Sequence, residues 1–417
     1  MDTARVAVVY RPGGAATMQQ IFRASIGVCE PIILIEAADA AADPALLSSS
    51  GAVMNTRIYR GSDPDDVVRI CRELQVRGIT TFHDRDVVLC DAVAARLELP
   101  GVSATEAPWD KLFQREQIPT AFSVPAVAVD SVPDLRRAVE QIGYPAVLKP
   151  KRATGSAGVA ILHELADVTY QEQSRKHWDG LLLESCINMA PHPSGVEHIG
   201  SYVSVETVST GDTRLHVAVF DKIPVIVRPR QGVEGSDLIS IPGDVFPSRL
   251  DPASLQAVID AVDQSLAALG TRWRVTHTEV ALTRRGPVVI EVNGRVGGHL
   301  QRLLLMVGGA DLVRSALECA LGQVPRVGDR PPRGCVLAYT PHFANTSGAV
   351  RSRVSLGDVR KLPGVHGVSY VAQHGAPRAA FNRRMVNLTA RADDMETLDA
   401  CFIAIRRGIQ DLFSDDH

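Results

Sequence analysis

The feature that most constrains this chain is the segment TEVALTRRGPVVIEVNGRVGGHL at residues 278–300. Two apolar runs are separated by Arg284, Arg285 and Gly286, the spacing of a tight antiparallel hairpin. Such a hairpin sets Glu279 and Glu291 side by side. Asn293 follows two residues after Glu291, and side chains two apart on a strand share a face, so one face carries Glu279, Glu291 and Asn293. The run VVIEV is apolar on both sides of Glu291, as in a buried strand, and a buried carboxylate needs a cation. Oxygen ligands with no cysteine or histidine among them suit magnesium rather than zinc. Magnesium held by few carboxylates completes its octahedron with substrate phosphates. Arg295 falls on the same side if the strand continues and offers a fork for phosphate or carboxylate oxygens. Gly297 and Gly298 let backbone approach a ligand closely.

A second constellation lies in YPAVLKPKRATGSAGVAIL, residues 144–162, which reads as a strand ending at Lys149, a small-residue turn and a second strand from about Val159. The turn residues Thr154, Gly155, Ser156, Ala157 and Gly158 offer backbone N–H groups and hydroxyls to anionic oxygens, with Lys149 a point charge at the base. This is not a Walker loop, because the lysine precedes the loop and strands flank it.

Short apolar runs alternate with helical stretches from Arg5 to about Thr105, which implies a parallel sheet with helices on its faces. VAVVYRPGG lacks the G-x-G-x-x-G order of a dinucleotide site. At 417 residues and 45% hydrophobic content the chain can fill two or three cores. A net charge of −3, with Lys and Arg dispersed, argues against nucleic acid as a partner. Seven scattered cysteines form no C-x-x-C pair, so neither zinc nor a disulfide framework is expected. Met1 runs almost directly into an apolar stretch with no secretory pattern, and no run is long enough to span a membrane, so a cytoplasmic protein is expected. His192 and His198, in the polar stretch 187–200, read as residues of a solvated loop rather than a metal site.

The two constellations, in this order and about 130 residues apart, resemble the ATP-grasp superfamily of carboxylate–amine ligases. LLLES, residues 181–185, resembles the strand leading into the adenine hinge, so Glu184, Ser185, Cys186 and Ile187 would line the adenine slot. WDKLFQREQIPTAFSVP, residues 109–125, matches the family helix whose lysine, here Lys111, reaches the nucleotide phosphates. The resemblance implies an N-terminal parallel α/β domain (1–105), a small nucleotide lobe (106–190), a large catalytic lobe (191–320) and a C-terminal α+β region (321–417). It also implies ATP with magnesium, two ions, manganese being able to substitute. The partners implied are a small carboxylic acid and an amine, and a homodimer is compatible with the family.

Within the superfamily the chain looks like the L-amino-acid ligases, on Lys222 in FDKIP, the run DLVRSALECALGQVP, and CVLAYTPHFANTSGAV near the C-terminus. Two departures stand out. Tyr202 replaces a glutamate expected near the ribose, and Asp244 stands where relatives carry a histidine three residues before a proline. The expected reaction is attack of a carboxylate on the γ-phosphate of ATP, then displacement of phosphate by an amine. Lys111 and Lys149 would sit on the phosphates, with magnesium on Glu279, Glu291 and Asn293. Arg295 would hold the acyl phosphate, Lys222 and Arg228 would contact substrate or phosphate, and N–H groups near Gly297 and Gly298 would face the oxyanion. His299 is open between a substrate contact, a base and a core histidine. A ligase of another substrate class, such as a purine-pathway carboxylate or a D-amino acid, and a nucleotide-binding regulatory protein remain the alternatives.

Overall fold

The computed structural model describes residues 3–44, 46–47, 55–61, 63–101, 109–153, 155–328, 331–344, 348–378 and 384–416. The N-terminal strands β1 (Arg5–Tyr10), β2 (Glu30–Glu36), β3 (Asn55–Tyr59) and β4 (Gly78–Thr81) form a parallel sheet of order β3-β2-β1-β4. Its central strands β1 and β2 read as apolar runs because both faces are covered. Helix Pro64–Glu73 closes one face through Val67, Ile70 and Cys71.

The next unit is an antiparallel sheet of β5 (Ala126–Val129), β6 (Ala146–Pro150), β7 (Ala160–Leu162) and β8 (Leu181–Ser185), in the order β5-β8-β6-β7. The glycine-rich turn joins β6 to β7. Gly155, Ser156 and Gly158 all take positive φ (62°, 57° and 75°), which explains why small residues cluster there. Thr154 lies outside the described residues.

The rest of the chain is built on one eight-stranded antiparallel sheet of order β15-β14-β9-β10-β13-β16-β18-β17. Its strands are β9 (Tyr202–Thr210), β10 (Thr213–Lys222), β13 (Gly243–Phe246), β14 (Arg274–Thr283), β15 (Gly286–Asn293), β16 (Cys335–Tyr339), β17 (Val365–Val371) and β18 (Val386–Ala392). A separate two-stranded ribbon, β11 (Ile226–Arg228) with β12 (Leu238–Ser240), rises from it. The three C-terminal strands thus continue the large sheet. Helix Met395–Leu412 packs over them through Leu398, Phe402, Ile405 and Ile409.

Strand alternation divides the large sheet into two environments. Val203, Val205, Val219, Val280 and Val292 point to one face and meet Val258, Val262 and Leu266 of helix Pro252–Ala268. On the other face, Val208, Phe220 and Val275 pack toward the N-terminal sheet. The same face carries Tyr202, Glu206, His277, Glu279, Glu291 and Asn293, and there the packing opens into a cleft. The polar residues are held rigidly because the valines between them are locked into the layer below. Leu266→Ala should therefore destabilise the fold by about 2–5 kcal/mol in urea unfolding while leaving nucleotide affinity within twofold. An affinity that falls with stability would show that the sheet does not insulate the cleft from its core.

Candidate active site

The cleft is organised by the β14–β15 hairpin, whose two-residue turn at Arg284 and Arg285 is closed by the Thr283 hydroxyl donating to Gly286 O (2.7 Å). Register places Glu279 opposite Glu291 and His277 opposite Asn293. Like charges directly opposite each other on a sheet repel, so both carboxylates need compensation. Lys111 Nζ lies 3.2 Å from Glu291 Oε2 and donates to Ala153 O (3.0 Å), tying the carboxylate to the glycine-rich turn. Asn293 Nδ2 donates to Glu291 Oε1 (3.1 Å). Burial works against a charge on Glu291, but Lys111, Asn293 and Lys149 hold its carboxyl well below the usual range.

Glu279 is served by His277, whose Nε2 is 3.5 Å from Glu279 Oε1 and whose Nδ1 is 2.5 Å from Glu206 Oε1. Burial opposes the imidazolium, but the Glu206 charge and hydrogen bond, with Glu279, hold the His277 pKa up to about 9. Glu279, Glu291 and Asn293 together offer hard oxygen donors. Among the described residues no three His, Cys, Asp or Glu side chains form a group able to hold a metal ion by themselves. That combination fits magnesium whose remaining positions are taken by phosphate and water oxygens.

The opposite wall is built around Glu184. Its Oε1 accepts from Lys149 Nζ (2.5 Å) and its Oε2 from Arg115 Nε (2.9 Å), while Arg115 also donates to the carbonyls of Val289 (3.1 Å) and Ile290 (2.7 Å). Burial would raise the Glu184 pKa, but Arg115 and Lys149 lower it, so the carboxylate is ionised. Both Glu184 carboxylate oxygens are thus committed to cations, and Glu184, which lines the cleft, fixes Lys149. The Ser185 and Cys186 amides are likewise bonded to Pro125 O and Pro145 O, both at 3.0 Å. Cys186 and Ile187 line the cleft, a cavity of about 410 Å³ also walled by Gly155, Ser156, Ala157 and Tyr202. The Tyr202 hydroxyl is buried there with no hydrogen-bond partner.

Lys222 and Asp244 face each other across β10 and β13 and form a buried ion pair. Asp244 Oδ2 lies 2.8 Å from His299 Nε2. Arg295 lines the cavity, with Nη2 on Asp84 Oδ2 (2.6 Å) of the N-terminal unit and Nη1 on Val296 O (2.9 Å).

Three expectations are corrected by the geometry. The Gly297 amide donates to Glu206 Oε2 (2.9 Å), so it is not free to meet an oxyanion, whereas Gly298 lines the cavity. A Cβ at Gly297 would come within 2.5 Å of both Glu206 Oε1 and His277 Nδ1, which is why glycine stands there. Arg228 is not a wall residue: β11 turns its neighbours Val225 and Val227 to the cleft. The stretch at 187–200 is a loop with exposed residues, but its histidines are not solvated: His192 is buried with Nε2 at 3.3 Å from Asp221, and His198 Nε2 sits 2.8 Å from Asp399. Asp84, Arg115, Glu206 and His277 escaped sequence reading, since each acts through a partner far away in the chain.

A parallel α/β unit, a small antiparallel lobe with a glycine-rich turn, and a large sheet carrying paired carboxylates make up the ATP-grasp fold. The L-amino acid ligase of Bacillus licheniformis superposes with a TM-score of 0.70 at 16% identity, covering 98% of both chains. The carboxyaminoimidazole ribonucleotide synthase of Aspergillus clavatus, complexed with ATP, gives 0.70 at 14% identity over 98% of this chain and 99% of its own. In sequence, the chain is similar to carboxylate–amine ligases. It is 26% identical over 279 residues to the alanine–anticapsin ligase of Bacillus subtilis and 25% over 287 residues to human carnosine synthase 1. These matches cover 61% and 62% of this chain, but they span only 56% and 32% of the two relatives' length. No family model matches the chain.

Glu184→Gln tests the wall assignment. Loss of the shared carboxylate leaves two buried cations poorly paired, which should cost about 3–5 kcal/mol in unfolding free energy and weaken nucleotide binding. An unchanged fold with altered base selectivity would instead show that Glu184 reads adenine.

Proposed function

We propose that this protein is an ATP-dependent, ADP-forming carboxylate–amine ligase that joins two amino acids or amino-acid-like substrates through an acyl phosphate. The observation that carries this reading is the convergence on one cavity of Glu279, Glu291 and Asn293 with Lys111 and Lys149. A plain nucleotide-binding protein has no need of two opposed, half-buried carboxylates beside the lysines. The sequence likeness to two ligases that join amino-acid substrates by name, alanine–anticapsin ligase and carnosine synthase, supports the substrate class.

Amide formation from a free carboxylate stalls because its oxygen is a poor leaving group. Phosphorylation by ATP solves this. The carboxylate oxygen attacks the γ-phosphorus, the bond to the β-bridging oxygen breaks, and ADP leaves. Lys149, fixed by Glu184, and Lys111, fixed by Glu291 and Ala153 O, would hold the phosphates in line. Magnesium bound by Glu279, Glu291 and Asn293 would supply neutralisation of the charge spread over the transferring phosphoryl oxygens. Arg295, anchored at one Nη by Asp84, would present its remaining N–H groups to the acyl phosphate. The turn at 155–158 and the β11–β12 ribbon exclude water that would hydrolyse the intermediate. The ribbon reaches the small lobe through Asp237, whose amide donates to Val159 O (2.7 Å) and whose Oδ2 accepts from Ile161 N (2.8 Å).

Incubation with ATP, magnesium and a pooled amino-acid panel should release phosphate together with a product one water lighter than its parts. Nucleotide binding without phosphate release across acids of every class would overturn the reading. Glu279→Ala or Glu291→Ala should lower turnover by at least about a hundredfold with the circular dichroism spectrum retained. Normal turnover in either variant would remove both carboxylates from the metal site.

A further inference from the structure

We propose that His299, oriented by Asp244, is the base that takes a proton from the incoming amine; this rests on the ligase reading above. An amino group is largely protonated at neutral pH, and an ammonium nitrogen has no lone pair with which to attack an acyl phosphate. The active site must therefore hold a proton acceptor.

His299 is the cavity-wall group placed to serve. It stands at the N-cap position of helix Leu300–Met306, its side chain making no capping bond, and lines the same cavity as Glu279, Glu291 and Lys222, with a side chain 39% exposed and so open to an entering amine. Its Nε2 lies 2.8 Å from Asp244 Oδ2 but off the line of a formed hydrogen bond. Asp244 is an anchored anion: it is buried, and its other oxygen accepts from Lys222 Nζ. The charged groups around His299 are Asp244 on β13 and Lys222 on β10, with Glu279 of β14 and Glu206 of β9 acting on Lys222 from behind. An imidazolium formed at His299 would face Asp244 directly and Lys222 only through it. The other wall cations are already engaged. Lys149 is bonded to Glu184, Lys222 to Asp244, and both ring nitrogens of His277 face carboxylates, Glu206 and Glu279.

His299 takes one proton from the ammonium and passes it to solvent. The freed nitrogen lone pair forms the C–N bond at the acyl carbon. The tetrahedral centre collapses with cleavage of the C–O bond to phosphate, and the departing phosphate accepts the second proton that the nitrogen sheds. Asp244 is the positioning residue: its anchored carboxylate, 2.8 Å from Nε2, sets the orientation of the ring.

Hydroxylamine separates this role from others, because it is largely unprotonated at neutral pH and traps an acyl phosphate as a hydroxamate with no base required. The full chain carrying His299→Gln should lose about 10²–10⁴-fold in amide formation from an amino-acid amine. ADP release and hydroxamate formation from the same acid should stay near wild type. The amide deficit should shrink as pH is raised and the amine deprotonates in solution, a trend that a packing role for His299 would not produce. Equal loss of amide and hydroxamate, or amide formation at the wild-type rate, would overturn the base assignment. A wild-type protein that yields neither ADP nor hydroxamate with any acid would fail earlier, at the ligase reading itself.

Discussion

Two glutamates that face each other across an antiparallel pair repel, and the cleft of this protein is arranged to make that repulsion tolerable. Glu291 is answered by Lys111 and Asn293, and Glu279 by His277, which Glu206 in turn keeps charged. Each compensating group comes from a different element, so the site exists only when helix Lys111–Gln117, β9, β14 and β15 are all in place. A magnesium–nucleotide complex entering such a site would meet carboxylates already held in position, so little reorganisation would be needed to bind it.

The same economy governs the wall around Lys149. Lys149 is buried and would be poorly ionised alone, yet Glu184 and Arg115 complete a network that closes on the β15 carbonyls. The small lobe is thereby locked to the large sheet at the point where the phosphates are expected to lie. Asp84 does the equivalent for the N-terminal unit by reaching Arg295. The three units therefore meet through ion pairs that converge on the cleft, and the N-terminal unit also shares an apolar core with the large sheet through Val6, Val8, Ile33, Val208, Phe220 and Val275.

What the sequence disclosed follows from how local each signal is. The 278–300 hairpin was legible because a two-residue turn and period-two alternation fix its register without outside help. Helix Lys111–Gln117 was legible from its likeness to the family's lysine-bearing helix, and the β6–β7 pair from the run of small residues between its strands. The partners that tune the site were not, because their contacts cross long stretches of chain: 69 residues from Arg115 to Glu184, 71 from Glu206 to His277, and 211 from Asp84 to Arg295. Strand β3 was missed since NTRIY buries only Tyr59 fully, leaving no apolar run to read. His192 was misread as solvated because nothing near it in sequence announces Asp221, the buried acid beneath it.

The central claim is that Glu279, Glu291 and Asn293 form one metal–phosphate site facing Lys111 and Lys149. A crystal grown with a non-hydrolysable ATP analogue and manganese tests it most directly, because manganese scatters anomalously and marks its own position. The account predicts an anomalous peak within coordination distance of all three side chains, with the terminal phosphate between that peak and the two lysines. A peak bound elsewhere, or phosphates lying outside the Glu279–Glu291 face of the sheet, would contradict it.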